Sequence, residues 1–113
     1  MAASVRNLFV KLEIHSIDRP NVMQLSRSAS SVAANYRSAT RGRSDAEYYS
    51  KICIVVEEAD ETLFWLEYFL EIKVINPNDN LELLDEAIQL VRLFSKIKSS
   101  MKEKIELAKD QKR

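Results

Sequence analysis

Residues 44–75 decide the fold, and they read SDAEYYSKICIVVEEADETLFWLEYFLEIKVI. The stretch contains neither glycine nor proline, and its apolar side chains recur at intervals of three and four residues. That spacing places them on one face of a single long helix, predicted here for residues 45–75. A helix of this length extends about 46 Å at 1.5 Å per residue. Its apolar line runs through Tyr49, Ile52, Val56, Ala59, Leu63, Leu66 and Leu70.

The start of this helix is marked by Ser44 and Glu47, which fit a capping box. In that motif the serine hydroxyl accepts a backbone N–H from the first turn, and the glutamate reaches back to an N–H before it. Gly42 comes just before and is the only glycine in the chain. We expect it to end the preceding helix in a left-handed conformation, which glycine adopts at little cost.

Apolar periodicity predicts three further helices, at residues 3–17, 22–40 and 79–108. Pro20 ends the first of them, because proline disfavours helix in the residue before it. An Asn-rich turn precedes the last, and Asn78 or Asn80 is its expected N-cap. The last helix carries two apolar lines, Leu81, Leu84, Ile88 and Val91 in one, and Leu83, Leu90, Phe94 and Ile97 in the other.

Short loops between long helices make sequential helices antiparallel neighbours. The sequence therefore predicts an all-α fold, an antiparallel up-down-up-down four-helix bundle. Residues 1–113 form one domain in this prediction, and residues 109–113 form a frayed tail. The last two helices are longer than the first two, so their apolar far ends favour a contact between subunits. The chain is therefore expected to be a homo-oligomer.

Composition excludes several classes of protein. The 113 residues include one glycine and two prolines, too few for the many turns of an all-β or α/β fold. Cys53 is the only cysteine, which excludes an internal disulfide and favours a reducing, cytoplasmic location. The N-terminal residues do not resemble a secretory signal, and no apolar run approaches the 20 or so residues of a membrane span.

A polar face on the predicted helix 22–40 is formed by small neutral side chains at helical spacing. Such groups belong where two backbones approach closely and polar atoms need partners. We interpret this face as a polar seam in which its hydroxyls and amide donate to glutamates of helix 45–75. A ligand or partner site and plain solvent exposure remain alternatives. The seam residues are Gln24, Ser28, Ser31 and Asn35 on one helix and Glu57 and Glu61 on the other.

No set of residues meets the requirements of catalysis. The only histidine, His15, has no Glu-x-x-His partner pattern of the kind that binds two metals inside helix bundles. Cys53 lies in the middle of a helix between two isoleucines, where an inert thiol is the ordinary case. We therefore expect no enzyme, no metal, no cofactor and no small-molecule substrate.

The basic residues are unevenly distributed. Residues 1–43 carry a net charge of +5, residues 44–91 a net charge of −10, and residues 92–113 a net charge of +5. Cations at a helix C-terminus complement its dipole, but this accounts poorly for five arginines with no acidic residue among them. Arginine is suited to phosphate through its planar fork of donors. The candidate nucleic-acid-binding residues are Arg27, Arg37, Arg41 and Arg43, with Arg19 upstream.

Three motifs together resemble a known family. They are RSASSVAAN at residues 27–35, SDAEY at residues 44–48 and EADETLFWL at residues 58–66. The chain resembles the four-helix-bundle proteins encoded within intervening sequences of bacterial 23S ribosomal RNA genes. That family also looks related to the accessory protein of diversity-generating retroelements. Departures from the family pattern are Ala29, where many members have glycine, and Tyr36-Arg37, where many have a glutamate.

The resemblance implies a cytoplasmic homopentamer with no known catalysis. For the retroelement relative it implies binding to a reverse transcriptase and to nucleic acid through a basic surface. The leading prediction is therefore a non-enzymatic oligomeric bundle that binds nucleic acid, with RNA favoured over DNA, or a nucleoprotein partner. The alternative is a structural scaffold that binds proteins and no nucleic acid. Surplus aromatic residues on the helix 45–75 suit a subunit interface under either interpretation.

Overall fold

The computed structural model describes residues 19–72 and 75–111, which form three α-helices. These are α1 (Arg19–Thr40), α2 (Asp45–Glu71) and α3 (Pro77–Gln111). The described part of the chain contains no strand, so the all-α class is confirmed. The predicted helix 3–17 and His15 lie outside the described residues. α3 remains helical to Gln111, where the sequence predicted a frayed tail from residue 109.

Side-chain caps set two of the helix starts. Glu47 N donates to Ser44 Oγ at 3.1 Å, and Glu47 Oε2 accepts from Arg43 N at 2.7 Å. The capping box is present, although the glutamate reaches one residue further back than the motif requires. At α3 the expected cap was wrong, since Asn76 Oδ1 accepts from Asn78 N at 2.9 Å. Asn76 therefore takes the capping role, and the proline that follows occupies the first helical position.

Pro20 lies in the first turn of α1. A backbone N–H in the first turn of a helix has no intrahelical acceptor, so the N–H that proline lacks costs α1 no hydrogen bond. Gly42 has a φ angle outside the left-handed region, so the predicted reason for a glycine at this turn was wrong. A Cβ atom at Gly42 would lie 3.2 Å from the carbonyl oxygen of Ala39 and 3.4 Å from Tyr48 N. Close backbone approach is the reason the turn suits a glycine.

The helices pack antiparallel, with α2 between α1 and α3. Contacts across the α1–α2 interface join residue 28 to residue 62, and an ion pair across the α2–α3 interface joins residue 45 to residue 104. The larger core cluster consists of Val22, Leu25, Ala29, Leu66, Phe69, Ile75, Leu83 and Ala87. A smaller one contains Val32, Val55, Ala59 and Phe94.

The two predicted apolar lines of α3 have different environments. Leu83 and Phe94 of one line are buried, whereas Leu81 of the other is 57% exposed. Four helices were predicted, and the described residues account for three of them. None of these three combines the length and the apolar character that a crossing of a lipid bilayer requires.

Candidate nucleic-acid interface

Antiparallel packing brings the basic parts of the sequence together at one end of the molecule. The end of α1, the start of α2 and the end of α3 meet there. We call residues 33–56 and 94–111 the basic end; they carry nine basic and five acidic side chains. The remaining described residues, 19–32, 57–72 and 75–93, form the acidic end with three basic and ten acidic side chains. Charge is therefore segregated by end as well as by helix.

A half-open groove of about 490 Å³ lies at the basic end, between the last turns of α1 and the first turns of α2. Arg37 and Arg41 line it from α1, and Lys51 lines it from α2. Among the described residues, Glu47 is the single carboxylate in its wall. The other lining residues are small, namely Ala34, Ser38, Gly42 and Ser50. We call this the arginine groove.

Local hydrogen bonds explain how α1 presents these arginines. Thr40 Oγ1 donates to the carbonyl oxygen of Arg37 at 2.8 Å, and Gly42 N donates to that of Ala39 at 3.0 Å. The last carbonyls of α1 are thus satisfied within the turn. Arg43 is exposed at the adjacent turn, where its backbone N–H is held by Glu47. Lys51 was not predicted as a site residue. Its spacing of four residues from Glu47 was the available signal, because residues four apart lie on the same face of a helix.

Arg27 does not join the other candidate arginines. It lies ten residues before Arg37, about 15 Å along the axis of α1, at the acidic end. Its guanidinium forms ion pairs with Glu61 at 2.7 Å and Glu58 at 3.2 Å. The hydrogen bond to Glu61 raises the pKa of Arg27. Arg27 Nε also donates to Gln24 Oε1 at 3.1 Å, within α1. The Arg27 side chain links α1 to α2 through its two ion pairs.

The polar seam differs from the predicted one in its partners. Ser28 and Thr62 are both fully buried, and their hydroxyl oxygens lie 3.1 Å apart across the α1–α2 interface. Ser28 donates to the carbonyl of Leu25, and Thr62 Oγ1 also lies 2.8 Å from the carbonyl oxygen of Glu58. Each hydroxyl has one proton, so Ser28 Oγ and that carbonyl compete for the proton of Thr62.

The other seam residues lie at the edges of this interface. Asn35 Nδ2 donates to the carbonyl oxygen and to the hydroxyl of Ser31, both at 2.9 Å within α1. Glu57 is exposed, and Glu61 pairs with Arg27. The predicted donation from Ser28 and Asn35 to the glutamates was therefore wrong. The missed partner, Thr62, follows the spacing Ile52, Val55, Ala59, Thr62, Leu66, Phe69, which is the buried line of α2.

An aromatic cluster occupies the acidic end of α2. Phe64 is 54% exposed, and its ring lies nearly parallel to that of Tyr68 with centroids 6.2 Å apart. Trp65 meets Tyr68 edge-on at 5.7 Å, and its Nε1 donates to Glu61 Oε1 over 3.4 Å. Phe69 completes the cluster and is fully buried. The cluster therefore has one ring in the core, Phe69, and one exposed ring, Phe64.

That the protein is not an enzyme stays a prediction, and the described residues bear on it in two ways. They contain no group of three or more His, Cys, Asp and Glu side chains placed to hold a metal ion. Cys53 is half-buried, and a hydrogen bond between its thiol and the Tyr49 hydroxyl raises the pKa of Tyr49. A tyrosine held protonated in this way is a poor general base, because only the phenolate accepts a proton readily.

Comparison with known proteins gives a consistent result. The family model described as 23S rRNA-intervening sequence protein matches residues 13–96. A crystal structure at 1.70 Å of a protein of unknown function, from the S23 ribosomal protein family of Bacteroides thetaiotaomicron, superposes with a TM-score of 0.80. That protein is 27% identical in sequence, and the match covers 86% of this chain and 90% of the other. No curated protein matches the chain.

Proposed function

Since the chain belongs to the 23S rRNA-intervening sequence protein family, we propose that it is a non-enzymatic protein that binds nucleic acid through its basic end. The observation that carries this proposal is the arginine groove, where three cations face one carboxylate. RNA is the favoured ligand, in line with the ribosomal RNA of the family's name. The proposed location is the cytoplasm, where the single cysteine of the chain stays reduced.

Phosphate is the group that this groove suits. Arg37 and Arg41 supply planar forks of N–H donors, Lys51 supplies a point charge, and Arg43 adds a fourth cation at the rim. Small side chains elsewhere in the wall let a sugar-phosphate backbone approach closely. We remove Arg27 from the predicted binding set, because it lies at the acidic end and is paired with two carboxylates.

We further propose that the protein acts as an oligomer, a homopentamer as the family resemblance implies. Residues 3–17 would add the fourth helix of the bundle. The exposed ring of Phe64, with the half-buried ring of Tyr68 beside it, supports a subunit contact, since aromatic side chains are enriched at the centres of interfaces. Repetition of the arginine groove in each subunit would raise weak single-site affinity through avidity. A monomeric mass in light scattering would contradict this part of the proposal.

A kinship with the accessory protein of diversity-generating retroelements widens the range of partners. A reverse transcriptase or another nucleoprotein could then present the nucleic acid to the basic end. The genes beside this one test the kinship, because an adjacent reverse transcriptase or an enclosing ribosomal RNA operon would identify the setting.

Replacing Arg37 and Arg41 with glutamine tests the proposed function. Fluorescence anisotropy with a labelled single-stranded RNA, between 50 and 200 mM salt, measures the affinity and its salt dependence. Loss of two phosphate contacts lowers the slope of log K against log salt by about 1.4 for a single strand. The matched control replaces Arg27 and Arg92 at the acidic end with glutamine, and we expect its slope to equal that of the wild type. Absence of wild-type binding at 50 mM salt would refute the proposal.

The alternative function, a protein scaffold, is favoured by one observation. The acidic end presents the exposed ring of Phe64 together with the exposed Glu57 and other carboxylates, a surface suited to a basic protein partner. If this surface carried the function, the Arg37 and Arg41 substitutions would leave partner binding intact and its salt dependence nearly unchanged. The same pair of variants therefore separates the two functions.

A further inference from the structure

A second groove lies on the other side of the start of α2. It has a volume of about 290 Å³ and is formed by the first turns of α2 and the last turns of α3. Lys102 and Lys109 line it from α3, together with Glu106, and Tyr49 lines it from α2. We call it the lysine groove. The Lys104–Asp45 ion pair, at 3.5 Å, lies at the same junction and holds the end of α3 against the first turn of α2.

The two grooves meet over small side chains. Ala46 lines the lysine groove, and Ser50 lines the arginine groove. These two exposed residues are four apart on α2, so their Cβ atoms lie about 5–6 Å from each other on one face. We call this pair the saddle. The connection between the two grooves along this face of α2 therefore passes from an alanine to a serine, both of which have small side chains.

We propose that the two grooves form one continuous track for single-stranded nucleic acid, with Lys102 and Lys109 as phosphate-binding residues. This inference rests on the proposed function, because it assigns the ligand class and the full extent of the same surface. The described residues give each groove a net positive charge. The arginine groove has three cations and one carboxylate in its wall, and the lysine groove has two cations and one carboxylate. Neither groove alone offers many phosphate contacts, so affinity depends on both.

The direction of the track selects a single strand. At 100° per residue, the α2 residues lining the two grooves point roughly 120° apart around a helix about 10–12 Å in diameter. A duplex with a persistence length of about 150 base pairs cannot turn through that angle over such a distance. A single strand advances about 3.4 Å per stacked nucleotide, so about two nucleotides span the saddle.

The lining also indicates what is recognised. Apart from its charges, the arginine groove is walled by alanine, serine and glycine, which offer few donors or acceptors for base edges. Contacts to phosphate position a nucleic acid and carry no sequence information. We therefore expect binding that tolerates changes of base sequence.

Replacing Lys102 and Lys109 with glutamine tests the lysine half of the track. The probe is a labelled single-stranded oligouridine of about 12 nucleotides, measured by anisotropy at several salt concentrations. We expect affinity to fall about tenfold and the salt slope to fall by about 1.4, as two contacts are lost. The control changes Asn78→Glu and Arg92→Gln, which lowers the net charge by the same two units at the acidic end, and it is expected to bind as the wild type does.

The outcomes separate this inference from the proposed function. If the Lys102 and Lys109 variant binds like the wild type while the Arg37 and Arg41 variant does not, the track is wrong and the proposed function stands. If no variant and no wild-type protein binds at 50 mM salt, both are wrong. Binding of a duplex of equal length as tightly as the single strand would overturn the single-stranded assignment.

A charge placed on the saddle gives an independent test. Ala46→Glu adds an acidic residue to the first turn of α2, where it favours the helix dipole and leaves the fold intact. It also places a negative charge between the two grooves, so we expect about tenfold weaker binding of the same oligouridine. Asn78→Glu is the matched control, since Asn78 is likewise the second residue of its helix. Equal affinity of the two variants would overturn the continuous track.

Discussion

The acidic end and the basic end of the molecule differ in packing as well as in charge. Of the fourteen buried apolar residues in the described part of the chain, ten lie at the acidic end. The basic end keeps only Ala39, Ile52, Val55 and Phe94 in that class, yet it holds both grooves. Stability in proteins is distributed unevenly, and ligand-binding parts are drawn from the less stable regions. The comparison shows that the buried apolar residues are concentrated at one end, and under the proposed function the other end is the one that binds.

Core substitutions at the two ends test this difference in packing, and they have the largest expected effect on stability. Phe69→Ala at the acidic end removes a fully buried ring from the larger core cluster, and we expect a loss of about 3–5 kcal/mol in the free energy of unfolding. Phe94→Ala should cost less, near the lower limit of that range, because Phe94 belongs to the smaller cluster and packs on the half-exposed Tyr36. Urea denaturation measures both losses. Equal losses would contradict the uneven packing.

The hydroxyl pair between α1 and α2 should give a smaller effect. Ser28→Ala or Thr62→Val removes one partner of a buried contact, and each should cost about 1 kcal/mol of stability. The double variant should cost less than the sum, since two apolar groups no longer leave a polar atom unpaired. Ser31 and Glu57 serve as the control pair, because no hydrogen bond joins them in the described structure. Additive losses at Ser28 and Thr62 would show that the two hydroxyls are not coupled.

The smallest effect is expected for Arg27→Gln at the acidic end. Its two ion pairs are solvent-exposed, so their loss should lower the free energy of unfolding by about 0.2–1 kcal/mol, and by less at high salt. Affinity for RNA should remain at the wild-type value, in contrast to the Arg37 and Arg41 variant. Thermal melting at two salt concentrations and the anisotropy assay check the two parts. A binding loss equal to that at Arg37 would place Arg27 in the interface.

Several features of the fold and the site could be predicted from short stretches of sequence. The cap at Ser44 depends on atoms within four residues, and the long helix after it on apolar spacing alone. The arginines of the groove were recognisable because Arg37 and Arg41 lie one helical turn apart. Gly42 was correctly placed at a turn but for the wrong reason, since the carbonyl that approaches it could not be read from the chain.

Partners across an interface were beyond the same reasoning. The polar spacing identified Ser28, but whether it faces a glutamate or Thr62 depends on a rotation of α2 by a fraction of a turn. The sequence predicted an apolar line on α2 that includes Val56, Leu63 and Leu70, whereas packing buries the neighbouring line that includes Thr62. Arg27 was predicted with the other arginines because charge alone does not say at which end of a helix its partners lie.

The amino-acid sequence by itself determined the helical class, the helix boundaries to within a few residues and the alternation of basic and acidic segments. These properties arise from local backbone preferences and from composition, which need no knowledge of neighbours in space. Only the tertiary structure decided that the lysines of α3 and the arginines of α1 lie at the same end of the molecule. The two groups flank the start of α2, one on each side. Antiparallel packing is the physical reason, because it brings together residues some sixty positions apart and converts alternation along the chain into two oppositely charged ends.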